Sequence, residues 1–534
     1  MCGLVVFRGR LQDIEDFEQH FLSLIHRGPD NSQIIEDLGV VFAFHRLSIM
    51  DVSAHGHQPF VDQRQMNMSM CNGEIYNFSQ LEEEVREKSD YSFHSHSDCE
   101  VILPIYAMYG LKGTVERLDG EFASVIWDHE AQKLLAFRDP IGIRPLFYGY
   151  NKIDNSIMFA SEMKVLHELC NEIKAFPPGH YYDGENFHAY INIAKGTHFK
   201  HKDLTKIFKN LQEKLINAVD KRLHADVNLG FLLSGGLDSS LVCAIAHRLM
   251  PNEKLKTFAI GMNENPIDLK YAKIVADYIN SEHHEVIMTK KDVLAVVKEV
   301  IWHLESWDVT TIRASIGMFL CCRYIHENTD VKALLTGEVS DELFGYKYTD
   351  YAPSADEFQK ESEKRIQELY MYDVLRADRC IAGNSLEARV PFSDKDFVEY
   401  VMNIKPSLKM NTYKVGKYLL RKAFDDNTNW LPESILYREK AAFSDAVGHS
   451  MVDYLKEEAE KLYTDDDLRN AKEKYPFAPP YSKEALWYRD CFEDFYPGRA
   501  NLISDFWMPN KSWPNCNVSD PSARVLDNYG QSGF

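Results

Sequence analysis

The amino-acid sequence predicts an α/β protein in two parts: a strand-rich N-terminal domain, then a doubly wound parallel sheet with a helical C-terminal region. Three observations lead there. At 534 residues the chain exceeds the size at which a single hydrophobic core stops growing, about 250–300 residues, so two or more domains are required. Up to about residue 190 the apolar residues fall in short runs between turn clusters. Beyond that point their period becomes helical, and strands then alternate with helices.

In the first part GVVFAFHRLSI, FASVIWD, KLLAFRD and IMFASE read as strands, with turns at HRGPDNS and DPIGIRP. The Pro-Pro-Gly turn in FPPGHYY closes this part ahead of the polar stretch NIAKGTHFKHKD. DLTKIFKNLQEKLINAVDKRL then reads as a helix with Leu204, Ile207, Phe208, Leu211 and Leu215 on one face. After it come strand VNLGFLLS, helix SLVCAIAHRLM, strand LKTFAIGM, helix DLKYAKIVADYIN and the strands EHHEVIM and VKALLTG. Near-continuous apolar strands alternating with helices indicate a parallel sheet covered on both faces, which binds ligands beyond the carboxyl ends of its strands. From about residue 350 the chain reads as helical with charged faces, and the composition of the last 20 or so residues predicts poor order.

With 45% hydrophobic and 26% charged residues this is globular material. The net charge of −21, with carboxylates spread among the Lys and Arg, argues against a nucleic-acid backbone as partner and favours a small-molecule enzyme. No run approaches the ~18 apolar residues of a membrane span, and no signal peptide is visible, so a cytoplasmic protein with no membrane partner is expected. Ten cysteines without CxxC spacing resemble neither a disulfide framework nor a zinc site. Cys99, Cys170, Cys243, Cys321 and Cys322 read as small core residues. Packing gives no reason to place Cys2 directly after the initiator methionine.

The strongest local signal is SGGLDSS at 234–240, between the strand GFLL and a helix. Gly235 and Gly236 let backbone amides approach an anion, Ser234, Ser239 and Ser240 add hydroxyls, and the helix N-terminus adds partial positive charge. The loop therefore cradles phosphate, but lacks the lysine of a loop that transfers a γ-phosphate. Asp238 would repel phosphate unless a cation lay between them, which suggests Mg²⁺.

On this scaffold SGGLDSS resembles the pyrophosphate loop of ATP-pyrophosphatase families. TFAIGM, DVTTIRAS, LLTGEVSDELFGY, YDVLRADR, NSLEARVPF and YREKAAFSD follow in the order of the glutamine-hydrolysing asparagine synthetases, and with the N-terminal motifs the match runs from residue 2 to about residue 525. The resemblance implies an N-terminal αββα sandwich of the N-terminal nucleophile hydrolase kind over 2–190, a synthetase domain over 204–525, and a disordered tail at 526–534. ATP and Mg²⁺ are the implied cofactors, and glutamine or ammonia and aspartate the substrates. Leu232, Leu233 and Ile260 would flank adenine, and Thr336 and Gly337 would lie beside the nucleotide. Asp238 and Asp341 would hold the metal. Thr310, Thr311, Arg313 and Arg389 would grip substrate carboxylate and phosphate, Glu338 would support ammonia attack on β-aspartyl-AMP, and Lys440 would stabilise negative charge. Two departures stand out: Thr336 and Val339 occupy positions where the family commonly has Ser and Gly. Thr keeps the hydroxyl, whereas Val resists a positive φ if the turn demands one.

Amide hydrolysis needs a nucleophile, a base and an oxyanion site. With Met1 removed, Cys2 would carry both a thiol and an α-amino group titrating near ~7.7–8.0, a base at cellular pH without any histidine. The remaining motifs resemble class II amidotransferases. Asn72 and Gly73 in CNGEIYN would donate to the oxyanion. Arg46, with the neighbouring Leu47, Ser48, Ile49 and Met50 of HRLSIMD, would bind the glutamine carboxylate. Glu74 and Asp98 would hold its ammonium. HRGPD and RDPIGIRPL read as scaffold turns. The family further implies an internal ammonia channel and a homodimer. Competing readings are an adenylating cyclase, disfavoured by the intact cysteine-site set, and a catalytically silent regulator, which Val339 and Ala441, Ala442 and Ala446 keep open. His94, His96, His283 and His284 lack further ligands at metal spacing.

Overall fold

The computed structural model describes residues 1–37, 39–62, 64, 66–264, 266–439 and 449–528. The chain divides into two compact units, Met1–Asn192 with Ala225–Asn228 and Ala382–Ala388, and Ile193–His224 with Leu229–Ile381 and Arg389–Phe534.

The first unit is built on two six-stranded sheets, and every strand pair described in them is antiparallel. Gly3–Arg8 lies inside one sheet, between Val40–Arg46 and Ile157–Ala160; Asn67–Ile75 lies inside the other, beside Gly120–Asp128. Alternation along each strand sorts side chains between two faces. Cys2, Leu4 and Val6 join Phe42, Phe44, Met68, Met70, Val125 and Trp127 in one core between the sheets. The opposite parity of the second sheet, Cys71, Ile75, Phe122 and Ile126, packs with the helices Phe78–Lys88 and Ile102–Arg117. On the outer side of the first sheet Phe7 meets Phe17 of the helix Phe17–Leu22 edge to face at 5.4 Å. The layers are thus helix, sheet, sheet, helix, as the resemblance implies.

The second unit holds the strands Glu282–Met288, Lys256–Met262, Asn228–Leu232 and Val331–Leu335, side by side in that order in one sheet. Lys256–Met262 pairs in parallel with both of its neighbours. The chain steps outward from Asn228–Leu232 through two strands and then crosses back to place Val331–Leu335 on its other side. Such a reversal opens a crevice at the carboxyl ends of these two strands, where SGGLDSS and LTGEVSD begin. Helices cover the sheet as the periodicity predicts; in Leu204–Lys221 the buried face is Ile207, Leu211, Leu215, Ala218 and Val219, while Leu204 and Phe208 are half-buried. Asp308 caps the helix Val309–Asn328 through the Thr311 amide, and Thr289 with Asp292 forms a capping box on Lys290–Leu304.

As far as residue 528 the C-terminal stretch is packed where its composition predicts poor order, and residues 529–534 of the expected tail lie outside the described residues. Trp513, Cys516 and Leu526 are buried in a cluster with Tyr348 and Phe358, and Asn528 donates through Nδ2 to the Lys347 carbonyl at 2.6 Å. A few large apolar side chains anchor a segment whose average composition is that of a loop. No helix among the described residues is long and apolar enough to cross a membrane.

Candidate active sites

Strand parity builds the first site. Cys2 and Asn72 both face the space between the sheets, and the Cys2 amide donates to Asn72 Oδ1 at 2.9 Å. Oδ1 is thereby occupied, while Nδ2 of Asn72 is buried with no hydrogen-bond partner. A buried amide donor without an acceptor carries a desolvation cost of about 1–3 kcal/mol, which a ligand oxygen would relieve. Gly73 has φ 154°, and a Cβ there would lie 2.1 Å from the Glu121 carbonyl oxygen, so the strand tolerates only glycine at this point.

The thiol is enclosed. Its Sγ lies 3.7 Å from the Leu47 carbonyl oxygen, and burial pushes its pKa up despite the nearby chain-terminal ammonium. Met1 is also buried; its ammonium lies 3.4 Å from Glu387 Oε2, and burial lowers its pKa against the opposing pull of that carboxylate. Arg27 donates through Nε to the Cys2 carbonyl at 2.9 Å and through Nη1 to Glu162 at 2.7 Å. Arg27 and Glu387 are absent from the sequence-derived site. HRGPD marks the first as scaffold, and the second lies in NSLEARVPF, a motif read for Arg389 alone.

Arg46 is buried, and its guanidinium ties down the loop after it, with Nη1 donating to Ser53 O at 2.7 Å and Nη2 to the carbonyls of Met50, at 3.2 Å, and Asp51. Ser48 N donates to Asp30 at 2.8 Å, which fixes the Leu47–Met50 segment beside the thiol. Asp98 accepts the Ile75 amide at 2.6 Å and, with Glu74, is buried at the end of the Asn72 strand. Leu47 and Arg46 therefore lie beside Cys2, with the Arg46 side chain already engaged by backbone carbonyls, and Glu74 and Asp98 lie at the end of the strand that carries Asn72.

The second site is a cavity in the second unit, in the crevice described above. Its lining includes Leu232, Leu233, Ser234, Gly236, Asp238, Ser239 and Ile260, and also Thr310, Thr311, Thr336, Gly337, Glu338 and Asp341. Internal hydrogen bonds shape the loop: Ser234 N donates to Ser239 Oγ at 3.2 Å, and Gly236 N donates to Ser234 Oγ at 3.3 Å. Gly235 takes φ +69°, and a Cβ would lie 2.4 Å from Ala272 N. The helix Leu237–Leu249 starts directly after Gly236 and presents its N-terminus to the cavity. Thr310 Oγ1 and Thr336 Oγ1 are buried without partners in the cavity wall, and Ser240 Oγ is buried without one behind it. These hydroxyls suit a polar ligand, whereas Thr311 Oγ1 is taken by Asp308 at 2.8 Å.

Asp238 and Asp341 converge on one cation, the ammonium of Lys417. Its Nζ lies 2.8 Å from both carboxylate oxygens of Asp238 and 2.5 Å from Asp341 Oδ1. Two hard-oxygen donors within 3 Å of one positive point fit Mg²⁺, which completes its shell with water and phosphate oxygens. Glu338 accepts from Arg376 Nη2 at 2.6 Å, and Arg376 also reaches Asp373 at 3.1 Å. Although burial opposes it, those two carboxylates raise the Arg376 pKa above its ordinary value. Val339 takes φ +78°, so the turn does demand the conformation that glycine favours, and a β-branched residue is held there, fully buried, at the start of Ser340–Phe344.

Two residues expected at the second site are engaged by groups of the protein itself. Arg389 is not in the cavity wall: its Nη1 donates to the carbonyls of Arg222 at 2.9 Å and His224 at 2.6 Å, a framework role. Arg313 lines the cavity, but its guanidinium is taken up by Glu484, at 2.8 and 2.5 Å, and by Asp520 and Ser522, at 3.0 and 2.8 Å. Those partners lie in an apparently featureless region far along the chain. Lys440 lies outside the described residues. Lys417, Arg376 and Asp373 were missed; YDVLRADR had been noted as a motif without roles for its charges, and KVGKYLLRKAF gave no signal.

Comparison with known proteins finds likeness along both parts of the chain. A glutamine amidotransferase domain model matches residues 1–209, and an asparagine synthase model matches 210–358 and 348–519. A probable glutamine-hydrolysing asparagine synthetase of Acanthamoeba polyphaga mimivirus is 40% identical, covering 98% of this chain and 100% of its own. The corresponding protein of Schizosaccharomyces pombe is 40% identical over 98% of each chain. The asparagine synthetase of Gallus gallus is 39% identical over 99% of each. With a buried N-terminal thiol in one unit, a nucleotide-type cradle in the other and likeness along nearly the whole length, the chain belongs to the glutamine-hydrolysing asparagine synthetase family.

Proposed function

We propose that this protein makes asparagine from aspartate, ATP and glutamine, releasing glutamate, AMP and pyrophosphate. Cys2 beside the unpaired Asn72 Nδ2 carries the reading. Once Met1 is excised, the α-amine of Cys2 takes the thiol proton as sulfur attacks the glutamine amide carbon. The oxyanion forms against Asn72 Nδ2 and the Gly73 N–H, the amine returns the proton to departing ammonia, and water then releases glutamate from the thioester. The Leu47–Met50 segment and Arg46 receive the glutamine carboxylate, and Glu74 and Asp98 its ammonium.

In the second unit the loop amides and the N-terminus of Leu237–Leu249 hold the phosphates, while Leu232, Leu233 and Ile260 provide an apolar wall for adenine. Thr310 and Thr336 offer hydroxyls to aspartate or its adenylate. Mg²⁺ bound by Asp238 and Asp341 supplies charge neutralisation at the phosphates. Glu338, aligned by Arg376, accepts a proton from the attacking ammonia. A cytoplasmic homodimer belongs to the same proposal.

The test incubates the protein with aspartate, ATP and Mg²⁺, using glutamine or ammonium, and measures asparagine, AMP and pyrophosphate. Cys2→Ala should abolish glutamine-dependent synthesis and spare ammonium-dependent synthesis. ADP in place of AMP, or equal loss from both nitrogen donors, would reject the reading.

A further inference from the structure

The ammonium of Lys417 occupies the place that a divalent cation would take. Besides Asp238 and Asp341 it donates to Ser340 Oγ at 3.0 Å, and Ser340 Oγ in turn donates to Asp238 Oδ1 at 2.8 Å. The side chain is almost fully buried yet lines the cavity. Lys417 also takes φ +57°, a left-handed conformation costly for a residue with a Cβ, ahead of the short helix Tyr418–Ala423. Three polar contacts at its tip hold it in this conformation.

We propose that Lys417 is a built-in counter-ion that makes cation binding conditional on the nucleotide: its ammonium fills the point between Asp238 and Asp341, yields it when a divalent cation arrives with ATP, and then pairs with phosphate oxygens. This rests on the reading of Asp238 and Asp341 as cation ligands. Two carboxylates against one ammonium leave a single negative charge, and adding a divalent cation alone reverses it. The displaced ammonium then gives up both of its carboxylate partners in a buried site, a state costly enough to oppose entry. Phosphate oxygens restore the balance, so cation and nucleotide each strengthen the other's binding by the same factor.

Mn²⁺ binding to the full-length protein, followed by electron paramagnetic resonance with and without α,β-methylene-ATP, tests this apart from turnover. Wild type should bind Mn²⁺ at least ~10-fold more tightly with the analogue present, within the usual range of coupling between sites. Lys417→Met should bind Mn²⁺ alone at least ~10-fold more tightly than wild type and lose most of the dependence on the analogue. Lys417→Arg, still charged, should keep that dependence. If Lys417→Met does not fold, Lys417→Gln carries the same expectation. Tight Mn²⁺ binding to wild type without nucleotide, or a neutral Lys417 variant with unchanged dependence, would overturn the proposal. Asp238→Asn separates the two readings: if it leaves Mn²⁺ binding with the analogue intact, the assignment of the cation site itself fails.

Discussion

Asn72 gives the sharpest test of the thiol site. Its side chain is fully buried, with Oδ1 accepting the Cys2 nitrogen and Nδ2 unpaired, so Asn72→Ala removes one donor aimed at the developing oxyanion and one acceptor that orients the nucleophile's own amine. Loss of a single oxyanion donor costs roughly 10²–10³ in kcat, about 2.7–4 kcal/mol. The lost acceptor adds about 0.5–1.5 kcal/mol if that bond persists in the transition state. Glutamate release should therefore fall by at least ~10² in kcat, with KM within a few-fold, because the missing bonds strengthen only as charge develops. Asn72→Asp keeps the acceptor but sets a carboxylate against the oxyanion, so it should be slower than Asn72→Ala. Glutamate release from glutamine reads the first step, and asparagine formation from saturating ammonium reads the second site alone. A fall of less than about 5-fold in the first assay, or an equal fall in both, would refute the role of Nδ2.

Burial pushes Lys409 down to about 7, and its Nζ has no hydrogen-bond partner. The unfolded chain keeps that proton up to the ordinary lysine value, so it binds more protons than the fold between about pH 7 and 10.5, and stability should rise with pH across that window. The shift corresponds to roughly 4–5 kcal/mol. Lys409→Met should raise the unfolding midpoint at pH 7 and flatten the pH dependence; an unaltered slope in calorimetry would show that the amine is not the source. Val339→Gly trades about 1–3 kcal/mol of backbone strain against about 1.5–3 kcal/mol of lost burial. It should change stability by no more than about 1–2 kcal/mol. Val300→Gly, equally buried inside the helix Lys290–Leu304, should cost clearly more in chemical denaturation, and equal losses would argue against strain at Val339. On the internal route for ammonia that the resemblance implies, asparagine made from glutamine in the presence of labelled ammonium should carry little label; full dilution into the labelled pool would reject that route.

Much of the fold was legible because it is written in local periodicity. The strands Val40–Arg46 and Gly120–Asp128 and the strand, loop and helix around SGGLDSS follow from residues a few positions apart. The packing of the C-terminal stretch up to residue 528 was not legible, because average composition does not show that Trp513, Cys516 and Leu526 share a cluster with Tyr348 and Phe358.

By itself the sequence determined two units, a glycine-rich loop at a helix N-terminus and a cysteine at position two, since each rests on short-range pattern or on the chemistry of a single residue type. Tertiary structure decided which charges face a ligand. Arg313, expected to grip substrate, has its guanidinium held by Glu484 and Asp520, 171 and 207 residues away. Lys417 was unremarkable until folding set it between Asp238, 179 residues earlier, and Asp341. The physical reason is the same in both cases: a charged side chain takes its role from the partners that desolvate and neutralise it, and in a doubly wound sheet those partners arrive from distant strands and helices.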